Sequence, residues 1–387
     1  RDIRVKGFLL RVQPSGSKSY YVEYTRGKRI RIGPASALKP DEARTEAIKY
    51  IAAWHKGEDI KGTELLKSAG SLGNYVSEIY EPRVVALLKT GKATCDRLRH
   101  SFADLMRCQL MDLSARDIEE WRTVRLKKAK PTTVNRDLND LKAALNRAVD
   151  WGYLKTNPLT HVKPSPTDTN RQPRFLSIKE MEKLRAALDA REERIKSGRQ
   201  SGNAWRDQRG IDRMPALDKQ PFADYLKPMV LLSLNTGLRR GELFSLRWKD
   251  VVILNKPLDE GGSKGHLVIN GATAKSGKTR YVELNSEAVS ILRGWRKQSK
   301  WRPGLVFKSD KRGRFDNVRK SWAGVLKEAK IKNFRWHDLR HTFASNLVMK
   351  SVELNTVREF LGHSDIKMTL RYAHLAPEHK AAAIEKL

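Results

Sequence analysis

The stretch that decides the reading is HDLRHTFASNLVMKSVELNTVREFLGHSDIKMTLRY, residues 337–372. It sets His337, Arg340, His363 and Tyr372 in an order suited to attack on a phosphodiester: cations and imidazoles hold and neutralise a phosphate, and a phenol supplies the nucleophile. On a helix, His337 and Arg340 share one face while Leu339, Phe343 and Leu347 bury another. A rival reading takes His337 and His341, at i,i+4, as the pair of a zinc metalloprotease helix with His363 as third ligand. That signature needs Glu directly after the first His, where Asp338 stands, and Arg340 would set a full cation beside the metal. A lone Tyr near a chain's end is ordinarily a core or interface aromatic, so support must come from upstream.

Two upstream segments supply it. The run Asn235-Thr236-Gly237-Leu238-Arg239-Arg240-Gly241-Glu242-Leu243 lies between apolar helical stretches. Gly237 permits a tight turn, Arg239 then falls near a helix start, and Glu242 is placed to orient its guanidinium. Alone, this is a surface turn with an i,i+3 ion pair. Lys275 sits in Lys275-Ser276-Gly277-Lys278, a turn between strands expected over 267–274 and 280–284. Such a lysine is either merely solvated or reaches into a DNA groove.

At 387 residues the chain calls for two to three domains. Lys and Arg number 77 against 44 Asp and Glu, a net charge of +33. That excess attracts polyanions, nucleic acid first among them, although charge alone leaves RNA and anionic membranes open. No apolar run approaches the ~20 residues of a membrane span. Cys95 and Cys108 are too few for a disulfide framework or a Cys-rich zinc module and fit a reducing cytosol. The chain starts at Arg1 rather than Met, so a preceding segment would go unread.

Period-two alternation in VKGFLLRV (5–12), YYVEYT (20–25) and IRIG (30–33) predicts a three-stranded antiparallel sheet. Within residues 1–40, ten basic residues face only Asp2 and Glu23. A helix opens at Lys39-Pro40-Asp41-Glu42, with Ala43, Ala47, Ile48, Ile51 and Ala52 as its apolar stripe. Residues 57–73 read as a linker. Helical periodicity then takes over, most clearly over 132–151, where Val134, Leu138, Leu141, Leu145 and Val149 recur at threes and fours. Thr132 or Thr133 is the expected cap and Gly152 lies past the end. The Pro-rich stretch 162–173 marks a second boundary. Residues 191–220, with Gly198, Gly202, Gly210 and Pro215, read as an exposed insertion with helical extension into its first turns.

Together the TGLRRGEL box, the hairpin lysine, HxxRH, LGH and the late Tyr resemble the tyrosine recombinase (phage integrase) family, in family order. The resemblance spans the chain and implies a multidomain, mainly α protein with small antiparallel β-sheets (α+β). Residues 1–66 would be an arm-type DNA-binding domain, as in integrases of prophages and genomic islands. Residues 74–165 would be the helical core-binding domain and 172–387 the mixed α/β catalytic domain. It further implies that Arg239, Lys275, His337, Arg340 and His363 surround the scissile phosphate and that Tyr372 attacks it, with no metal or other cofactor required.

The chemistry suits these residue types. A phenol with pKa about 10 needs a base or a cationic field, and His337 is the candidate base. Arg239 and Arg340 fork onto phosphate oxygens, His363 adds a hydrogen bond, and Lys275 is the candidate acid for the departing 5′ oxygen. Glu242 orients the arginines; His341 and Arg240 stand outside this set. The implied activity is integration and excision of a mobile element through a 3′-phosphotyrosyl link. The implied partners are double-stranded attachment-site DNA and three further copies of the chain, with Ala381, Ala382, Ala383, Ile384 and Leu387 as a face docking on a neighbour. The implied place is the bacterial cytoplasm, on the nucleoid, with the need for DNA-bending and excision factors left open. A Xer-like or inversion-type recombinase, generally without an arm domain, and a non-catalytic DNA-binding regulator are the alternatives.

Overall fold

Alternating apolar residues at the start of the chain close into a meander, because each strand has one face to bury. In the computed structural model, which describes residues 2–14, 16–56, 69–167, 172–254, 264–271, 278–299, 303–309 and 313–376, β1 (Phe8–Val12), β2 (Lys18–Thr25) and β3 (Lys28–Pro34) pair antiparallel in chain order. Phe8 lies opposite Val22, and Val22 opposite Ile30, so all three bury on the same face. Helix α1 (Pro40–His55) covers them. Its start follows from Pro40 in the first turn and from Glu42, whose carboxylate accepts from the Lys39 backbone N–H at 3.0 Å. The buried stripe is Ala43 and Ala47, with Tyr50 and Ile51 packed beside them. Ile48, expected inside, is 53% exposed: one residue beyond Ala47, it turns about 100° off the stripe.

Contact patterns divide the chain into two compact units, Arg1–Thr169 and Asn170–Leu387. In the first, a second apolar cluster gathers helices. A helical stretch starts at Leu72–Asn74, widens into a π-helix over Tyr75–Tyr80 and continues as α2 (Glu81–Leu87). Pro82, lacking an N–H, cannot make the regular helical bond at that junction. Then come α3 (Gly91–Ser101), α4 (Ala115–Leu126) and α5 (Pro131–Asp150). Helix α5 buries Val134, Leu138, Leu141 and Leu145, and Tyr75 Oη donates to the Ala144 carbonyl at 2.8 Å. No side chain caps it. Pro131 opens it instead, and Thr132 and Thr133 fall inside the first turn.

The second unit opens with α6 (Ile178–Asp207), capped reciprocally by Ser177 and Glu180. This helix runs through most of the segment expected as an insertion. Gly198 and Gly202, each a cost of ~1 kcal/mol in a helix, are tolerated because the returning chain is tied back. Asn203 holds the Met214 backbone from both sides, Arg199 donates to the Pro215 carbonyl, and Arg213 pairs with Asp207.

Helix α7 (Leu226–Thr236) is mostly apolar and buried on nearly every side, so the unit's core forms about it. There follow α8 (Arg240–Ser245), β4 (Val251–Ile253), β5 (Gly265–Ile269), β6 (Arg280–Glu283), α9 (Ser286–Gln298), α10 (Arg319–Glu328), α11 (Asp338–Met349), α12 (Leu354–Leu361) and α13 (Lys367–Leu370). Strands β4, β5 and β6 form an antiparallel sheet in that order. Three residues are too few for a period-two signal, which is why β4 goes unseen in the sequence. The expectation of a mainly helical protein with small antiparallel sheets holds. Lys275 and the 381–387 segment lie outside the described residues, and among the described residues no helix is long and apolar enough to cross a membrane.

Candidate active site

The site is assembled from two turns that glycine makes possible. Helix α7 ends at Gly237 and α12 at Gly362, each with φ +61°, the left-handed conformation that closes a helix. Beyond Gly237 the chain re-enters a helix with Arg239 as its N-cap. The Arg239 backbone N–H donates to Glu242 Oε2 (2.9 Å), and its guanidinium donates to Glu242 Oε1 (3.0 Å) and the Gly362 carbonyl (3.2 Å).

Glu242 is 4% exposed. A second guanidinium, Arg280 at the start of β6, forks onto both its oxygens at 3.0 and 2.7 Å. Burial pushes the Glu242 pKa up, but the hydrogen bonds and charges of Arg280 and Arg239 outweigh it, and the group sits below its ordinary value. The carboxylate is therefore charged at neutral pH.

Arg340, on the first turn of α11, is 3% exposed. It donates to the Gly237 carbonyl at 2.9 Å and the Leu361 carbonyl at 2.5 Å, stitching one glycine turn to the other. Burial, then the neighbouring charge of Arg239, draws its pKa down to about 9, so it stays protonated at neutral pH.

His363 follows Gly362, its Nδ1 2.9 Å from Thr369 Oγ1. Burial, then Arg340 and Arg239, depress its pKa to about 3. Tyr372 is 1% exposed, packed among Ala344, Val348, Val357 and Leu361. Its Oη lies 2.5 Å from His341 Nδ1. Burial raises the phenol to about 12, against the pull of Arg340 and Arg371. Burial, then His337, Arg371 and Arg340, lower His341 to about 4. At neutral pH the phenol thus keeps its proton and donates to a neutral imidazole. His337 is exposed and meets the His341 ring edge-on, centroids 5.1 Å apart.

Arg239, Glu242, Arg340 and His363 therefore share one network, and Tyr372 joins it through His341 and the field of Arg340. Sequence reasoning left out two members. His341 had a signal, its place one turn beyond His337, which had served only the zinc reading. Arg280 had none, since a basic residue opening a strand is unremarked until the fold brings it to Glu242. Among the described residues no three His, Cys, Asp or Glu side chains converge as metal ligands.

The buried imidazoles carry a pH prediction. The folded values of His341 and His363, about 4 and about 3, lie below the ordinary imidazole value of 6.5, so unfolding takes up protons in acid. Their contribution to stability is present above pH 6.5 and lost as pH falls through about 4 and about 3. Urea midpoints measured from neutral pH downward are expected to fall across this window, and His341→Gln to flatten the upper part. An unchanged slope in that variant would contradict the assignment.

Comparison with known proteins supplies the family. Residues 210–379 match the phage integrase family and residues 2–64 the arm DNA-binding domain. A XerC-like tyrosine recombinase of Caldanaerobacter subterraneus subsp. tengcongensis is 28% identical over 278 residues, which is 64% of this chain and 64% of that protein, just under two thirds of its length. The integrase of Escherichia phage 186 is 25% identical over 390 residues, 98% of this chain and 94% of that one. In fold, the chain is similar to the Tn1549 transposon integrase, with a TM-score of 0.57, 19% identity, and coverage of 82% of this chain and 99% of that one. The likeness is one of fold. Residues 210–379 carry the domain of the phage integrase family, and an arm DNA-binding domain over residues 2–64 stands ahead of it.

Proposed function

We propose that this protein is a site-specific DNA recombinase, an integrase that cuts and rejoins double-stranded attachment-site DNA through a 3′-phosphotyrosyl intermediate to insert and excise a mobile element. The observation that carries the reading is the Tyr372 hydroxyl, hydrogen-bonded to a neutral imidazole beside Arg340 and the Arg239–Glu242–Arg280 network. In this reading Arg239 and Arg340 exchange backbone carbonyls for phosphate oxygens and neutralise the charge of the pentavalent transition state. His363 adds a hydrogen bond, and Lys275 protonates the leaving 5′ oxygen.

Proton removal falls to His341, with His337 behind it. In the resting pair burial raises the phenol and lowers the imidazole, so this transfer runs uphill. An arriving phosphate raises the imidazole's basicity, and unburying the phenol lowers its pKa, so DNA itself arms the pair. Residues 1–66 serve as the arm-type domain, 74–165 as the core-binding domain and 172–387 as the catalytic domain. Four copies act on two duplexes, in a bacterial cytoplasm on the nucleoid, with DNA-bending and excision factors as further partners. The Tn1549 integrase was solved with transposon right end DNA, a precedent for the ligand class.

The test is incubation of the full chain with a nicked suicide duplex carrying its attachment site. The expected result is a protein–DNA adduct that survives denaturation, with the 3′-phosphate mapped by peptide sequencing to Tyr372. Sequence-specific binding with no adduct would favour a regulator.

A further inference from the structure

Three consecutive carbonyls at the end of α12 each accept from a different arginine: Phe360 from Arg280 Nε (3.2 Å), Leu361 from Arg340 (2.5 Å) and Gly362 from Arg239 (3.2 Å). The last carbonyls of a helix are its negative end, so they dock cations. The three arginines are not equivalent, however. Only Arg280 also spends both terminal nitrogens on Glu242, and its side chain is 10% exposed against 17% for Arg239. Its aliphatic stem underlies the turn so closely that a Cβ on Gly362 would come within 2.7 Å of Arg280 Cδ. This explains why glycine stands there beyond its φ.

We infer that Arg280 is a positioning residue for strand cleavage, clamping Glu242, the 360–362 turn and the start of β6 into one frame that aims Arg239 at the phosphate. The inference rests on the recombinase reading above and goes beyond it by giving a role to a residue outside the phosphate-binding set. Arg280 itself stays on Glu242 throughout. With it in place, the carboxylate has a fixed orientation, and its Oε1 holds one terminal nitrogen of Arg239 while the other meets the Gly362 carbonyl. Without it, Glu242 is free to turn and carry the guanidinium with it. A displacement of about 1 Å in such a group costs on the order of a hundredfold in rate.

The charged groups facing Glu242 are Arg239 at the start of its own helix, Arg280 from β6 and Arg340 from α11. Removing Arg280 leaves burial opposed by fewer cations, so the carboxyl becomes easier to protonate. Cleavage then loses rate as pH falls through that raised value, which shifts the acid limb of the profile to higher pH. A strut with no part in aiming Arg239 would not move that limb.

Single-turnover cleavage of the nicked duplex, followed from acid to alkaline pH beside DNA affinity and thermal unfolding, tests this. Arg280→Gln is expected to cleave about a hundredfold more slowly, with affinity little changed and the acid limb moved up. Arg280→Lys, whose single ammonium cannot span both oxygens, is expected to fall between. Should Arg280→Gln fold poorly, the Glu242→Gln/Arg280→Gln pair removes the charge imbalance. If the two residues act as a unit, its loss is close to that of Glu242→Gln alone. Wild-type rate and profile in the Arg280 variants, loss that merely tracks the unfolded fraction with an unmoved acid limb, or additive losses in the pair would each overturn the proposal. Absence of any adduct from the wild-type chain would instead overturn the recombinase reading, and this inference with it.

Discussion

Tyr372→Phe is expected to abolish the covalent adduct, a loss greater than about 10⁴-fold, while the chain still folds and still binds its DNA. The ring stays among Ala344, Val348, Val357 and Leu361, so packing is kept. What disappears is one hydroxyl and its 2.5 Å hydrogen bond to His341 Nδ1, worth about 1 kcal/mol in stability. The separation of these effects makes the variant informative. Denaturing gels of nicked-duplex reactions read the first, and gel-shift affinity with urea midpoints read the others. An adduct of undiminished yield, or one mapping to another residue in the wild-type chain, would remove Tyr372 as the nucleophile.

Arg340→Gln is expected to harm both stability and chemistry. Its guanidinium joins the Gly237 and Leu361 carbonyls, inside a position only 3% exposed. Leaving those buried acceptors without donors costs about 1–3 kcal/mol each, so roughly 2–6 kcal/mol of the catalytic unit's stability goes. Losing a transition-state cation adds a drop of about 10²–10³ in the cleavage rate of the molecules that remain folded. His363 provides an internal check. Arg340 is the largest charge depressing its pKa after burial, so the His363 imidazole should titrate at higher pH in the variant, as NMR would record. Unchanged urea midpoints would show that the two glycine turns do not depend on the guanidinium.

Much of this was legible in the sequence where the signal is local. Period-two alternation gave the N-terminal sheet, period 3.6 gave α5, and Gly237 marked a turn that does end a helix at φ +61°. What stayed hidden depends on distance along the chain. Arg280 is 38 residues from Glu242 and 80 from Phe360, and nothing in its neighbourhood advertises either partner. His341 was visible as a residue but not as the partner of a phenol 31 residues on. Three glycines, a proline and a polar composition argued for an exposed insertion over 191–220, helical only in its first turns, whereas bonds from the returning chain hold α6 to Asp207. The depth of Tyr372 was equally hidden, because the buried residues that cover it come from α11 and α12.

That depth has a bearing on safety. A chain carrying +33 clings to any duplex it meets, and chance encounters along a genome vastly outnumber genuine targets. An open phenol would turn each of those encounters into an opportunity for an unplanned break. On the recombinase reading, holding it at 1% exposure would make harmless scanning the default. Breakage would, on the same reading, be reserved for the rare encounter that prises the tyrosine from its seat.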